Sequence, residues 1–434
     1  MRQKDKDTLK RLAERKLAMA NDPVNLERRE AWYALDDGAT HRPMILAEVG
    51  GIRDKNHPYG ALGEPQCEDP WARQVEQWMF NPEWYQFSVL KDDHVVEPYM
   101  AIGWRIGASD YGVQKTTHRT QSGDQMTSVN WDAPIRDIDA DFDRLKPRTF
   151  SVDRAKTLEE KARLEEAFGD IVPVIIRGTY HWSLGMTNTL IDLMGLEAMM
   201  LAMYDNPDGL HRMMAFLRDD SLAYTQWLED EGIYALNNRS EYTGSGSIGY
   251  TRRLPKDGGA GLPTCVHNTQ DAGQKTCATL AMPAQRKDLW VLLESQETVG
   301  VGPELFEEFI YPYQKAVADV FGFVYYGCCE PVNNRFHILK RMENLKRISV
   351  SPWADEAFMA EACGNDIVFS RKPNPTLIST SVFDEAAIRR DLRATLDTAK
   401  RCRLEIIMKD VHTLDNDPSR LPRWVELARK EAGQ

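Results

Sequence analysis

The sequence has no long apolar run and no signal peptide. Nowhere in its 434 residues do about 18 apolar residues follow one another, as a membrane span requires. The N-terminal stretch lacks the basic region, apolar segment and cleavage site of a secretory signal. We therefore predict a cytoplasmic protein with no membrane association.

Basic charge is also scarce. Lys and Arg number 54 against 66 Asp and Glu, which gives a net charge of −12. No basic stripe is present that could neutralise phosphates, so the sequence argues against a nucleic-acid partner. A small-molecule ligand or a protein partner is expected, and the sequence leaves a homodimer open.

Cysteine is sparse, but two of the seven are adjacent, Cys328 and Cys329. They end the apolar run FGFVYYGCCEP (321–331), where Pro331 lacks the N–H that strand pairing needs. A disulfide across one peptide bond is strained, and cytoplasmic thiols stay reduced. The pair therefore indicates thiol chemistry or metal binding, with buried or redox cysteines as the alternative.

Short apolar runs alternate with amphipathic helical segments along most of the chain. This alternation predicts parallel strands with helical crossovers, and hence an α/β fold, a (β/α)8 TIM barrel. We expect an N-terminal helical extension over 1–40 and the barrel over 41–434. The predicted strands are 42–51, 93–100, 171–182, 289–297, 321–331, 347–355, 366–375 and 404–413.

One segment, 237–286, does not follow this alternation. It is rich in Gly, Ser, Thr and Asn, and it contains Tyr242, Tyr250 and His267. Long connections of this kind are usually binding lids or disordered segments. We predict an inserted lid.

Polar and aromatic residues gather at the predicted strand ends. In a (β/α)8 barrel the C-terminal strand ends meet at one mouth, where active sites are built. The predicted members are Glu48, Glu97, Arg177, Tyr180, His181, Trp182, Glu294, Glu297, Tyr326, Cys328, Cys329, Glu330, Trp353, Asp355, Arg371, Lys372, Lys409, Asp410 and His412. Structural roles stay open for some of them: Arg177 and Glu294 are also consistent with paired barrel charges, and His181 with packing.

These segments resemble the uroporphyrinogen decarboxylase superfamily over roughly residues 40–430. The resemblance is to the corrinoid-linked branch, which includes coenzyme M methyltransferases and aryl-ether O-demethylases. It is carried by ESQETVGVGPELFEEFIYPYQKAV (294–317), YYGCCEP, VFSRKPNP and IIMKDVHT. YYGCCEP and FSRKPNP together suggest a distinct subgroup.

The sequence also departs from that superfamily. AEVGGIRD and EPYMAIGW stand where the decarboxylases have an arginine-rich glycine loop and an aspartate that hold the porphyrinogen. In the methyltransferase metal motif, Gly327 replaces the histidine, Cys329 matches the cysteine, and the last ligand falls near Val411 or His412. Uroporphyrinogen decarboxylation is therefore disfavoured.

The resemblance implies methyl transfer between a small substrate, with an aryl methyl ether as a candidate, and a corrinoid carried by a partner protein. Zinc would assist, held by residues from Glu294, Glu297, Cys328, Cys329 and His412. The predicted catalytic residues are Tyr180, His181, Lys409, Asp410 and His412. The predicted substrate-binding residues are Glu48, Glu97, Arg177, Trp182, Tyr326, Trp353, Arg371 and Lys372.

Two other functions stay open. A decarboxylase or other lyase would use Arg177, Arg371 and Lys372 to hold a carboxylate. A non-catalytic binding barrel would use the GCCE segment structurally.

Overall fold

The computed structural model describes residues 1–40, 42–119, 129–255 and 284–434. Two helices open the chain, as the sequence predicts: α1 (Gln3–Ala20) and α2 (Pro23–Asp37). The Asp22 carboxylate accepts a hydrogen bond from the Val24 N–H and starts α2, and Gly38 ends it with a φ of 70°.

The strands are short. They are β1 (Met44–Ala47), β2 (Met100–Ile102), β3 (Ile106–Ala108), β4 (Thr116–Arg119), β5 (Val129–Asp132), β6 (Phe150–Val152), β7 (Val174–Ile176), β8 (Tyr242–Gly244), β9 (Ser247–Ile248), β10 (Trp290–Leu293), β11 (Phe323–Tyr326), β12 (Leu345–Val350), β13 (Val368–Arg371) and β14 (Leu404–Met408).

The remaining helices connect and cover these strands. They are α3 (Pro70–Val75), α4 (Asn81–Trp84), α5 (Ile138–Asp141), α6 (Arg154–Phe168), α7 (Thr187–Met194), α8 (Leu196–Asp205), α9 (Pro207–Asp230), α10 (Pro303–Phe309), α11 (Tyr311–Ala318), α12 (Phe336–Leu339), α13 (Glu356–Cys363), α14 (Thr376–Ser379), α15 (Glu385–Thr398) and α16 (Arg420–Glu431). None of the helices in the described ranges has the length and apolarity that crossing a bilayer requires.

Six strands form one parallel sheet in the order β1-β14-β13-β12-β11-β10. β2 and β7 form a separate parallel pair, while β3 with β6, β4 with β5 and β8 with β9 form antiparallel pairs. The α/β class and the parallel sheet are confirmed. Within the described residues the eight predicted strands do not join into one hydrogen-bonded ring, so closure of the barrel is not confirmed.

Side chains satisfy the β1 edge of the six-stranded sheet. The Asp93 carboxylate accepts from the Ile45 N–H at 2.7 Å, and the Asp92 carboxylate accepts from the Ala47 N–H at 3.0 Å. Asp93 is the first residue of the predicted second strand (93–100) and Asp92 precedes it, whereas hydrogen-bonded sheet begins here only at Met100. Carboxylates therefore replace strand pairing at this edge.

The β10 edge is satisfied in a similar way. The Asn237 side chain accepts from the Trp290 N–H and donates to the Trp290 carbonyl, at 2.9 and 3.0 Å. The Leu184 N–H donates to the Leu292 carbonyl at 3.0 Å. At these positions, the backbone groups of both edges therefore have hydrogen-bond partners.

The sheet has two distinct faces, because side chains alternate along each strand. Val291, Leu293, Val324, Ile348 and Phe369 pack on the outer face in one apolar core with residues of the covering helices. The inner face is the opposite one, and it carries Leu292, Tyr325, Arg347, Ser370 and Glu405. It therefore combines apolar and charged groups.

An ion pair lies buried on the inner face. Arg347 and Glu405 are 3.4 Å apart, and both side chains are 0% exposed. Arg347 also donates to the Ser247 hydroxyl and the Ile248 carbonyl, each at 2.6 Å, while Ser247 donates to Glu405 at 2.9 Å. Every member of this cluster thus has a hydrogen-bond partner.

Residues 237–255 of the predicted lid belong to this core. Ser247 and Ile248 bind Arg347, and Tyr250 is fully buried. The lid prediction is therefore wrong for this part, because these residues fill the space over the inner face. The rest of the insertion that follows, 256–283 with His267, lies outside the described residues.

Candidate active site

The GCCE turn ends β11. Gly327 adopts a φ of 94°, a left-handed conformation that glycine adopts easily, and the strand stops at Tyr326. The Glu330 carboxylate accepts from the Cys328 N–H and the Ser295 N–H, each at 2.9 Å. Buried Glu330 therefore fixes the turn from inside.

The turn brings both thiols to one place. The Cys328 and Cys329 sulfurs are 3.6 Å apart. Lys409 Nζ lies 3.5 Å from Cys328 Sγ, and Cys329 Sγ lies 3.4 Å from Asp410 Oδ2. Predicted residues from the ends of β11 and β14 therefore meet.

This contact shifts both protonation equilibria. The hydrogen bond from Cys329, followed by the Lys409 charge, lowers the pKa of Cys328 against the opposing effect of burial. Burial also opposes the charge on Lys409, but the charges of Cys328, Asp410 and Glu48 outweigh it and raise the Lys409 pKa. The arrangement favours a thiolate beside an ammonium group.

Glu48 and Lys372 complete the buried surroundings. Burial raises the pKa of Glu48 and lowers that of Lys372 to about 7. Lys372 Nζ donates to the Tyr325 hydroxyl at 3.1 Å and to the Ser370 carbonyl at 3.0 Å. Lys409 donates to the Ser245 hydroxyl at 3.1 Å.

Glu294 is a buried acid at the end of β10. Burial, followed by repulsion from Glu297 and Glu330, raises its pKa to about 8. Its carboxyl accepts from the Ser183 hydroxyl at 3.1 Å and from the Gln296 N–H at 3.2 Å. Near neutral pH the group is therefore mostly protonated and can donate a proton.

Glu297, the other predicted acid of this segment, points elsewhere. It accepts from the Thr187 hydroxyl at 2.7 Å and from Asn188 at 3.3 Å. It therefore ties the start of α7 to the β10 loop.

An aromatic cavity of about 280 Å³ adjoins Glu294, since Ser183 belongs to its wall. Its lining includes Tyr111, Arg148, Tyr180, Trp182, Ser183 and Tyr224. Arg148 lies 5.1 and 5.4 Å from the ring centres of Tyr111 and Tyr224 and pairs with Asp220 at 2.6 Å. The cavity has the size and walls for a single planar ring.

Two predicted site residues form separate pairs. Arg177 binds Glu241 through two hydrogen bonds and also donates to Asn238 at 3.1 Å. Glu97 accepts from the Tyr250 hydroxyl and lies 3.5 Å from Arg239. Both therefore have partners of their own.

Arg371 and Tyr326 belong to the outer face. Arg371 pairs with Glu356 and with Asp391, the latter at 3.3 Å. The buried Tyr326 hydroxyl donates to Gln314 at 2.8 Å. Neither side chain joins the group around Cys328.

The other predicted residues lie at the rim or in the packing. Trp182 and Trp353 are 51% and 68% exposed. The His412 ring lies 3.4 Å from the Gly51 carbonyl and is exposed. His181 packs edge-on against two aromatic rings, and burial lowers its pKa to about 4. Asp355 caps α13 by accepting from the Phe358 N–H.

Three residues around the site were not predicted from the sequence: Ser183, Ser245 and Arg148. Ser183 comes one residue after the predicted third strand, so its position after a strand end was a usable signal. Ser245 lies in the segment interpreted as a lid, and Arg148 lies between predicted strands. Nothing local in the sequence marks these two.

The predicted zinc site is not formed by the described residues. Zinc needs three or four converging donors, and no group of three or more His, Cys, Asp or Glu in the described ranges is placed to hold a metal ion. The Lys409 ammonium already provides the positive charge beside Cys328. The donor set in this arrangement does not fit zinc, which stays a prediction from the family resemblance.

No protein-family model matches the sequence, and no curated protein matches it. Among solved structures, a methyltransferase from Methanosarcina mazei aligns over 92% of this chain and 97% of its own, with 12% identity and a TM-score of 0.47. Similarity at this level carries no argument about the reaction.

Proposed function

We propose that this chain is a methyltransferase that moves a methyl group from a small donor, an aryl methyl ether, to a corrinoid on a partner protein. The observation that carries the proposal is the aromatic cavity whose wall residue Ser183 hydrogen-bonds Glu294, a buried acid with a pKa of about 8. The strand-end motifs that resemble the corrinoid-linked methyltransferases support it.

Glu294 supplies the proton that this reaction needs. A methyl group on oxygen leaves poorly, because the departing oxygen is basic, and protonation of that oxygen makes departure easier. Glu294 donates the proton, and the Ser183 hydroxyl and the Gln296 N–H then stabilise its carboxylate. The reduced corrinoid supplies the nucleophile that accepts the methyl group.

The cavity favours an aromatic ring over a methylammonium donor. Tyr180, Trp182 and Tyr224 line it and supply aromatic surface against which a ring can pack. Arg148 already occupies the position beside these walls that a cation would take. A methylammonium group would meet a like charge, whereas a neutral or anionic ring would not.

The lyase alternative has less support. It needs cationic groups that are free to hold a substrate carboxylate. Arg177 binds Glu241, and Arg371 binds Glu356 and Asp391 on the helical side of the sheet. Of the three cations assigned to that role, Lys372 alone lies near Cys328, and it is 3% exposed.

The test is methyl transfer by the purified full chain to chemically reduced free cobalamin. We expect methylcobalamin, followed by its absorbance, from methoxybenzenes and methoxybenzoates, and none from methylamines. Glu294→Gln should lower the rate of transfer by about 10²-fold or more, while Arg341→Leu, a surface change, should not. Transfer from methylamines alone would refute the donor assignment. A full rate in Glu294→Gln would refute the role of the acid, and decarboxylation without methyl transfer would favour the lyase.

A further inference from the structure

The two adjacent cysteines form a unit that methyl transfer does not require. Successive side chains on a strand point to opposite faces, so a regular strand would separate their thiols. The φ of 94° at Gly327 breaks this alternation and leaves the sulfurs 3.6 Å apart. The backbone therefore presents two thiols together.

The two thiols differ in exposure. Cys329 is exposed, whereas Cys328 is buried. Asp410 contacts the Cys329 sulfur and Lys409 contacts the Cys328 sulfur, so the groups beside the thiols come from one strand end. A reagent can reach Cys329 first and then Cys328.

The other described cysteines differ. Cys67, Cys363 and Cys402 are buried, and burial raises the pKa of each thiol. They are therefore shielded. The hydrogen bond with Cys328, followed by burial, also raises the pKa of Cys329, so exposure and sulfur separation, not acidity, distinguish the adjacent pair. Cys328 and Cys329 are the pair in the described residues with a short sulfur separation and an exposed member.

We propose that Cys328 and Cys329 are a chelating dithiol site for trivalent arsenicals. An arsenic(III) oxide R–As=O bonds to both sulfurs: two S–H bonds and the As=O bond break, two As–S bonds form, and the oxygen leaves with both protons as water. No oxidant is consumed. One arsenic atom bridges the two sulfurs.

Chelation suits this geometry better than a disulfide. A disulfide would draw the sulfurs from 3.6 Å to about 2.05 Å. Adjacent Cα atoms are about 3.8 Å apart, closer than the roughly 4.4–6.8 Å that unstrained disulfides span. A bridging arsenic atom avoids this strain because the sulfurs need not touch.

The test is treatment of the folded full chain with phenylarsine oxide, followed by intact mass spectrometry. We expect one phenylarsenic group per chain that survives excess 2-mercaptoethanol and is removed by 2,3-dimercaptopropanol. A chelate resists a monothiol because both As–S bonds must be broken. Cys328→Ser and Cys329→Ser should each lower the monothiol-resistant adduct from one per chain to none.

Two controls keep the result interpretable. The Cys265→Ser/Cys277→Ser double variant removes the two cysteines outside the described ranges and should keep the adduct. Melting followed by circular dichroism should show that every variant is folded. A resistant adduct in either single variant, its loss in the double variant, or no adduct on a folded wild type with two titratable thiols would overturn the site.

Discussion

Two buried charged clusters lie on the inner face, and they differ in how far their charges are satisfied. In the Arg347–Glu405 cluster, both side chains are 0% exposed, and neighbouring hydroxyls and carbonyls supply further hydrogen bonds, although Arg347 Nε has no partner among the described residues. In the Lys409–Cys328 cluster, Lys409 has a raised pKa, Cys328 a lowered one, and Cys329 is exposed. The first cluster is therefore suited to stabilising the fold, and the second to reacting with a ligand.

The difference follows from position along the strands. Arg347 and Glu405 lie within β12 and β14, where Ser247 and Ile248 cover them. Lys409 follows β14 and reaches the GCCE turn. Charges in the sheet interior are held by fixed partners, whereas those past the strand ends keep groups that can exchange protons.

The largest expected effect is on stability, from Arg347→Leu. It leaves Glu405, which is 0% exposed, without its guanidinium partner. We expect a loss of about 3–5 kcal/mol in the free energy of unfolding, measured with guanidinium chloride. Arg341→Leu, which removes an exposed pair with Glu307, should cost less than about 1 kcal/mol. Equal losses in Arg347→Leu and Arg341→Leu would contradict the stabilising role of the buried Arg347–Glu405 pair.

The next effect is on activity, from Glu294→Gln. The amide keeps the shape of the protonated acid but cannot donate its proton, so methyl transfer should fall by about 10²-fold or more, with little change in stability. In wild type the acid loses its proton as pH rises through about 8, so kcat should be high below that pH and fall above it. A pH profile of kcat checks this. A rate that rises with pH would contradict the acid role.

A smaller effect should come from Gly244→Ala, which tests whether residues 237–255 belong to the core. The added methyl would overlap the Tyr325 ring and come within 2.9 Å of Leu292 Cδ1. Overpacking of this kind costs about 1–3 kcal/mol. Gly60→Ala, whose added methyl meets nothing within 4 Å, is the matched control in chemical unfolding. An unchanged unfolding midpoint in Gly244→Ala would show that this segment is not tightly packed and would support the lid prediction.

The parallel strands could be predicted because apolar runs mark them. Strands β1, β7, β10, β11, β12, β13 and β14 all lie within or overlap predicted runs. The second predicted strand (93–100) forms sheet only at its last residue, Met100. Before it, Asp92 and Asp93 bind the β1 backbone through their side chains. A hydrophobic pattern does not encode such side-chain contacts.

The site was predicted in part, and strand alternation explains much of the rest. Glu294 and Lys409 have the spacing of inner-face residues, and both lie near Cys328. Arg371 follows Ser370, an inner-face residue, so a period of two already assigns Arg371 to the helical side. Ser245 could not be predicted, because a long-range contact with Lys409 places it there.

The smallest expected effect on stability comes from Lys409→Met, which directly tests the difference between the two clusters. Removing this ammonium takes a cation away from Cys328, Glu48 and Asp410. Asp410, which lies 3.3 Å away, is 48% exposed and stays hydrated. The loss should therefore be that of the hydrogen bond with Ser245 and of a half-exposed ion pair, about 1–2 kcal/mol in the free energy of unfolding. The pH at which Cys328 reacts with iodoacetamide should move upward, because Lys409 lowers its pKa. Lys315→Met, on an exposed helix pair, is the control for both measurements. A loss of 3 kcal/mol or more would instead show that the Lys409–Cys328 cluster contributes as much to stability as the Arg347–Glu405 cluster.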